Sequence, residues 1–355
     1  MNAKRSSIAD RLLDWYDVHG RNLPWRAKPG ETPDPYRVWL SEVMLQQTTV
    51  AAVAPRFREW TERWPSVEAL AAAPDEAIMA AWAGLGYYAR ARNLVKAARA
   101  VVAEHGGAFP ATEATLRALP GLGAYTAAAV ASIAFGERAV VVDANVERVV
   151  ARLFAIDTPL PAARPAIRVA TDRITPDARA GDYAQAMMDL GATLCTVRKP
   201  RCLLCPLRES CEAFAAGDPA RLPVKAAKKA KPRRHGTIFW LERREGARSV
   251  WLVRRPDRGL LGGMRALPTG PWTDPAPALA EAPAAINWRM LEGKVEHGFT
   301  HFDLTLALAV GRGEAQGAGE WWPVADLAAA GLPTLFAKAA QAVMAAEALD
   351  DGSMT

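Results

Sequence analysis

The sequence predicts a two-domain chain, an all-α region followed by a smaller α+β domain, and three observations carry that expectation. The chain has 355 residues, which at roughly 150 residues per domain leaves room for two cores. Ala, Leu, Arg and Glu dominate residues 8 to 215, with Pro or Gly at the breaks, which is a helical composition. Beyond residue 236 this gives way to short β-like segments and one long alternating run. Half of the residues are apolar and 23% are charged. No uninterrupted apolar run approaches the roughly 20 residues of a bilayer-spanning helix, so no membrane partner is expected. The polar segment Met1 to Ser7 leads into the amphipathic Ile8 to Leu13 rather than an apolar signal core, and a cytoplasmic location is expected.

Charge is unevenly distributed. The 44 basic and 38 acidic residues leave +6, and residues 217–236 alone hold seven Lys and Arg against one Asp, the same +6. Pro219, Pro223 and Pro232 and the scarcity of large apolar residues make this stretch read as an extended tether between a helical region, 6–216, and a second domain, 237–349. It is either a solubilising hinge or a phosphate-contacting strap.

Within the helical region, Asp34 and Pro35 begin a helix as N-cap and first residue. On it Glu42 has Val38, Trp39, Leu45 and Gln46 as its neighbours at three and four residues, so an acid lies on a nearly apolar stripe. Burial there raises a carboxyl pKa, although a Glu paired to a distant Arg is the plainer explanation. Leu119-Pro120-Gly121-Leu122-Gly123-Ala124-Tyr125-Thr126 opens another helix. Gly121 and Gly123 allow a tight turn whose N–H groups point at one anion, a helix-hairpin-helix signature for a DNA phosphate, against the plainer reading of a Gly-rich connection. Asp143 follows four apolar residues, Ala139 to Val142, and precedes an amphipathic helix. Capping accounts for it, while an ionised carboxylate held ready for a cationic transition state is the sharper reading.

All four cysteines, Cys195, Cys202, Cys205 and Cys211, fall in one window at spacing C-x6-C-x2-C-x5-C. That clustering points to a metal centre rather than disulfides. Only Cys202 and Cys205 form a tight pair, whereas structural zinc sites usually bring two, so an all-thiolate 4Fe-4S cluster fits better than zinc. Arg198, Lys199 and Arg201 lie between the first two cysteines and form a candidate phosphate contact.

Together these segments resemble the endonuclease III superfamily of base-excision DNA glycosylases, and within it the MutY-type adenine glycosylases. The resemblance covers about residues 6 to 222 and rests on Leu23-Pro24-Trp25-Arg26, VWLSEVMLQQT at 38 to 48, Gly84-Leu85-Gly86-Tyr87-Tyr88, the hairpin, the Asp143 segment and the four-Cys loop of 195–211. It implies a six-helix barrel and an iron–sulfur lobe that grip double-stranded DNA and flip one base into the cleft. It also implies that Glu42 protonates N7 of the adenine and Asp143 stabilises the oxocarbenium ion, with Tyr125 and Asn145 beside it. By the same match Arg26 and Gln185 contact the adenine, and Gln47, Thr48, Leu85 and Tyr87 fill or wedge the base stack. Tyr125 stands where lyase-competent relatives carry a Lys nucleophile, which implies glycosidic cleavage alone. Ala144 stands where the family usually has Gly.

In the second domain Phe302, Leu304, Leu306, Leu308 and Val310 alternate with His301, Asp303, Thr305, Ala307 and Ala309, a half-buried strand, and residues 332 to 349 read as helix. This domain resembles the MutT-like, Nudix-fold domain that adenine glycosylases use to recognise 8-oxoguanine, without the acidic Nudix box. Phe299, Thr300 and His301 are similar to the family's Phe-Ser-His recognition loop; an ordinary strand-edge turn is the alternative. The expectation is therefore a monomeric adenine DNA glycosylase acting on A:8-oxoguanine or A:G mispairs near the nucleoid, with repair or replication proteins docking on the linker. Its rivals are a lyase-competent glycosylase and a non-catalytic iron–sulfur DNA-binding or damage-sensing protein.

Overall fold

A computed structural model describes residues 7–28, 30–226, 230–243, 245–256 and 259–352. The chain divides into two compact units. The first joins Met1–Ala73 with Asn93–Lys228 and is helical, and the second joins Pro74–Arg92 with Lys229–Thr355 and contains a sheet. The segment 74–92, expected to belong with the rest of the helical region, is therefore grouped with the C-terminal sheet.

Several helices of the first unit start where short polar side chains satisfy the otherwise unpaired N-terminal amides. Ser7 and Asp10 cap Ile8–His19 reciprocally. Asp34 caps Pro35–Leu45 with Pro at its first position, and Thr49 caps Val50–Arg63. The helix Ala124–Phe135 begins at Gly123, which offers no side-chain cap, and Asp143 caps Ala144–Leu153. Arg164–Ile174 and Ala180–Thr193 follow. The helix Pro35–Leu45 packs on Ala124–Phe135, and Ala180–Thr193 packs on Ala124–Phe135, Ala144–Leu153 and Ile8–His19. Leu12, Val146, Val149, Ile167, Met187, Leu190 and Leu207 form one core of this unit, with Cys195, Cys205 and Cys211 packed against it.

Residues 217–236 are not an extended tether along their length. Leu222 is buried, and Leu160 exchanges backbone bonds with Val224 and Ala226 at 2.8 and 3.4 Å, so this stretch is laid along the helical unit. At its other end Arg233 already pairs in the sheet, which begins four residues before the expected boundary at 237. The physical reason is that charged side chains leave backbone pairing intact at an exposed strand end. Residues 227–229 lie outside the described residues.

In the second unit the strands are β1 (Arg233–Arg243), β2 (Ser249–Arg254), β3 (Arg265–Ala266), β4 (Arg289–Gly298), β5 (Asp303–Arg312) and β6 (Glu320–Pro323). Their order is β3-β2-β1-β5-β4, with β6 on β2. β1 and β5 are parallel, and the other pairs are antiparallel. The alternation from Phe302 to Val310 is β5, whose Leu304, Leu306 and Leu308 are buried under the helix Thr334–Gly352. No helix among the described residues is long and apolar enough to cross a membrane.

Candidate active site

Glu42 is 6% exposed, on the helix Pro35–Leu45 where it faces Ala124–Phe135. From that second helix Tyr125 donates its Oη–H to Glu42 Oε2 at 2.6 Å. Burial pushes the Glu42 carboxyl up to about 7; the Tyr125 bond opposes the rise, the nearby Asp143 adds to it and Arg26 again opposes it. Burial, with the two carboxylates behind it, holds the Tyr125 phenol well above its ordinary value. Glu42 thus keeps a proton near neutrality beside a small pocket lined by Arg26, Ser41, Gln185 and Met188.

Asp143 turns both oxygens to its own helix. Oδ1 accepts from Val146 N at 2.7 Å and Oδ2 from Asn145 Nδ2 at 2.8 Å. Asn145 Oδ1 in turn accepts from Arg148 Nη2 at 2.9 Å. Arg148 goes on to the Cys195 carbonyl at 2.7 Å and the Gly191 carbonyl at 2.6 Å. Close approach of the two helices depends on Gly191, since a Cβ there would stand 2.6 Å from Asn145 Cβ. Ala144, where the family usually has Gly, takes no positive φ.

Arg152, 1% exposed, secures the cysteine loop. It donates to Thr196 O at 2.7 Å, Val197 O at 3.2 Å and Leu222 O at 2.9 Å, and reaches Cys195 Sγ at 3.3 Å. Burial pushes the Cys205 thiol up to about 11 and raises Cys202 and Cys211 too, with the Cys195 sulfur among the neighbours that add to each rise. Among the described residues no three His, Cys, Asp or Glu side chains converge on a single metal-ion position.

Gln47 is exposed at φ 56 just past the end of Pro35–Leu45, and Thr48 Oγ1 turns back to Gln46 O at 3.2 Å. Gly121 has φ 77 and a Cβ there would lie 2.5 Å from Asn93 Cβ, so glycine is required. Gly123 has φ −76 and a Cβ there would meet nothing within 4 Å; it serves as the extended N-cap of Ala124–Phe135. In the second unit Leu85 is buried, 6% exposed, so it packs in this conformation, whereas Tyr87 is 52% exposed at φ 47. Phe299 lies against His297, Phe302 and Trp272 with ring centroids at 4.6, 4.9 and 5.6 Å. Thr300 and His301 are exposed at the turn between β4 and β5.

Sequence reasoning passed over Arg148, Arg152 and Asp189. A signal was present: Asn145, Arg148 and Arg152 recur at three and four residues along a helix whose other positions are largely Val, Ala and Leu.

Residues 40–168 match the family described as HhH-GPD superfamily base excision DNA repair protein, and residues 237–342 match the NUDIX domain. A relative named adenine DNA glycosylase from Arabidopsis thaliana is 41% identical over 295 residues, 73% of this chain and 46% of the relative, so the chain spans about half of that protein. Another of that name, from Mycolicibacterium smegmatis, is 43% identical over 209 residues, covering 59% of this chain and 70% of the relative. A solved thermostable thymine-DNA glycosylase superposes on 59% of this chain and 95% of its own with a TM-score of 0.53 at 29% identity.

Proposed function

The chain belongs to the adenine DNA glycosylase family, and from that premise we propose that it hydrolyses the N-glycosidic bond of adenine mispaired with 8-oxoguanine or guanine in duplex DNA. The observation that carries the reading is Glu42, a buried carboxyl that keeps its proton near pH 7 at the edge of a pocket lined by Arg26 and Gln185. Adenine leaves readily only when protonated, and Glu42 supplies that proton to N7 as general acid. The Asp143 carboxylate, its orientation set by Val146 N and Asn145, stabilises the sugar cation that develops as the bond breaks. Tyr125 holds Glu42 in place. It has no amine with which to form an imine, so the enzyme is monofunctional.

Gly121 shapes the hairpin, and the uncapped amides that follow Gly123 suit a DNA phosphate. Gln47, Thr48, Leu85 and Tyr87 act on the base stack, and Phe299, Thr300 and His301 read 8-oxoguanine. Cys195, Cys202, Cys205 and Cys211 hold a 4Fe-4S cluster. The residues suit it: three of the four thiols, Cys195, Cys205 and Cys211, pack against one core, and the Arg152 guanidinium beside Cys195 offsets thiolate charge. When bound, the cluster supplies structure to the loop carrying Arg198, Lys199 and Arg201, which faces phosphate. The protein acts as a cytoplasmic, nucleoid-associated monomer, and repair or replication proteins dock on the basic stretch 217–236.

Single-turnover base release from A:8-oxoguanine and A:G duplexes tests the reading. Release of free adenine, with strands that break only after alkali, is the expected result. Breakage without alkali would favour a lyase, and no release from either duplex would leave a binding protein.

A further inference from the structure

One buried carboxylate of the helical unit has no part in the chemistry above. Asp189 is fully buried on Ala180–Thr193, one turn beyond Gln185, which lines the pocket. Its Oδ1 accepts from Arg21 Nε at 2.6 Å and Arg26 Nη2 at 2.7 Å, and its Oδ2 from Arg21 N at 2.9 Å and Arg26 Nη1 at 2.7 Å. Arg26 Nη1 also donates to Arg21 O at 3.1 Å. One buried negative charge thus serves two guanidinium groups, both of which line the same pocket as Glu42.

The turn bearing Arg26 has no regular secondary structure. Its Trp25 is edge-on to Phe57 and its Pro24 carbonyl accepts from Arg37 at 2.8 Å, which fixes the backbone but not the Arg26 fork. The bonds named above use three of the five guanidinium N–H groups of Arg26, leaving Nε–H and one Nη2–H for a ligand. A planar fork gripped at both Nη atoms has little rotational freedom, so these remaining donors are pre-aimed.

We propose that Asp189 is the positioning residue of the base pocket, clamping Arg26 and Arg21 so that Arg26 presents its remaining N–H groups to the acceptor edge of the flipped purine. The inference rests on the glycosylase reading. The clamp has an electrostatic side as well. The charged and titratable groups facing Glu42 are Tyr125 from Ala124–Phe135, Asp143 from the start of Ala144–Leu153, and Arg26 from the turn, with Arg21 of the same turn lining the shared pocket. Asp189 is the counter-charge of both cations. Burial works to raise the Asp189 carboxyl and the two arginines outweigh it, holding it below the ordinary range.

The test compares single-turnover adenine release across pH for wild type, Asp189→Asn, Asp189→Glu and Arg26→Gln, with affinity for an uncleavable duplex measured alongside. Asn offers one acceptor oxygen and turns an NH2 toward a guanidinium donor, so the grip is lost. Release by Asp189→Asn should fall about tenfold or more, as misplaced positioning groups cause, with duplex affinity little changed. Its high-pH limb should move down by on the order of half a unit, because Arg26 loses its counter-charge beside Glu42. Arg26→Gln should move that limb up, and Asp189→Glu, which keeps the charge, should leave it in place. A residue that merely supports the fold would not produce shifts of opposite sign. Superimposable limbs for Asp189→Asn and wild type, or shifts of the same sign for Asp189→Asn and Arg26→Gln, would overturn the clamp. If Asp189→Asn does not fold, Arg26→Gln and Asp189→Glu decide, and anything other than an upward shift in the first and none in the second overturns the proposal. A wild-type protein that releases no adenine would sink the glycosylase reading itself.

Discussion

Tyr125 and Glu42, 83 positions apart in sequence, share a 2.6 Å hydrogen bond between a phenol and a carboxyl oxygen. Because the phenol itself is held well above its ordinary pKa, it stays a donor throughout the pH range in which Glu42 titrates. The bond therefore always favours the ionised carboxylate, while burial favours the acid, and burial wins.

The first prediction follows from that balance. Base release should fall as pH rises through about 7, where Glu42 loses its proton. Stability should follow the same group. The folded carboxyl binds its proton more tightly than the unfolded one, so stability falls as pH rises from about 4.5 to about 7. Glu42→Gln lacks this penalty. It should be inactive, yet more stable than wild type at pH 8 by up to about 3 kcal/mol, with the difference vanishing near pH 4. Denaturant unfolding at both pH values checks this, and a pH-independent difference would refute it.

Tyr125→Phe removes the one interaction in this pair that favours the carboxylate. The activity limb should move to higher pH, and the lost buried bond should cost about 1 kcal/mol of stability. A limb that moves to lower pH would show that the phenol does not act on Glu42 as the geometry implies.

Asp143 combines two roles that substitutions can separate. Asn at this position keeps an oxygen for Val146 N and so keeps the cap, whereas Ala loses it at a cost of about 1 kcal/mol. Both variants should lose base release, and Asp143→Ala, which loses the cap as well as the Asn145 bond, should lose more thermal stability than Asp143→Asn. An active Asp143→Asn would remove the carboxylate charge from the mechanism.

Arg152 is buried with four contacts to the cysteine loop and the strap that follows it. Arg152→Leu leaves those carbonyls unpaired and should destabilise the protein by on the order of 3 kcal/mol. Iron and sulfide content should fall with it. Full iron content in a folded Arg152→Leu protein would show that the loop closes without this anchor.

A truncation that removes the sheet should end after Ala226 rather than near Arg221, since Leu222, Val224 and Ala226 are bonded to the helical unit. Such a protein should fold and still release adenine, because the residues assigned to chemistry lie in the first unit. Preference for A:8-oxoguanine over A:G should drop by roughly 5-fold to 150-fold, the cost of one base contact. Duplex affinity should fall as well. The segment Pro74–Arg92, which carries Leu85 and Tyr87, loses the bond from Arg92 Nη1 to Gly262 O at 2.6 Å. An unchanged ratio of rates between the two duplexes would mean that Phe299, Thr300 and His301 do not read the orphan base.

Glu42 shows how far a local pattern reaches. Its helix, its cap at Asp34 and its apolar neighbours are all within eight residues, so burial of an acid was visible from spacing alone. Asp189 sits on a similarly apolar helix, but its meaning depends on Arg26 and Arg21, 163 and 168 positions away. The strand β4 was missed for a related reason. Its burial is largely exposed or partial along its length, so no alternation marked it, and pairing with β5 defines it.

By itself the sequence determined the helix starts at Asp34 and Asp143, the buried face carrying Glu42, the four-cysteine window and the alternation that became β5. Each of these depends on neighbours within one or two turns, where chain geometry dictates which side chains meet. Tertiary structure alone decided that Tyr125 reaches Glu42, that Asn145 and Arg148 link Asp143 to the Cys195 carbonyl, that the basic stretch lies partly along the helical unit, and that Asp189 grips two arginines. Those are pairings of buried polar groups. Burial makes a partner obligatory, but only the packed fold selects which distant residue supplies it.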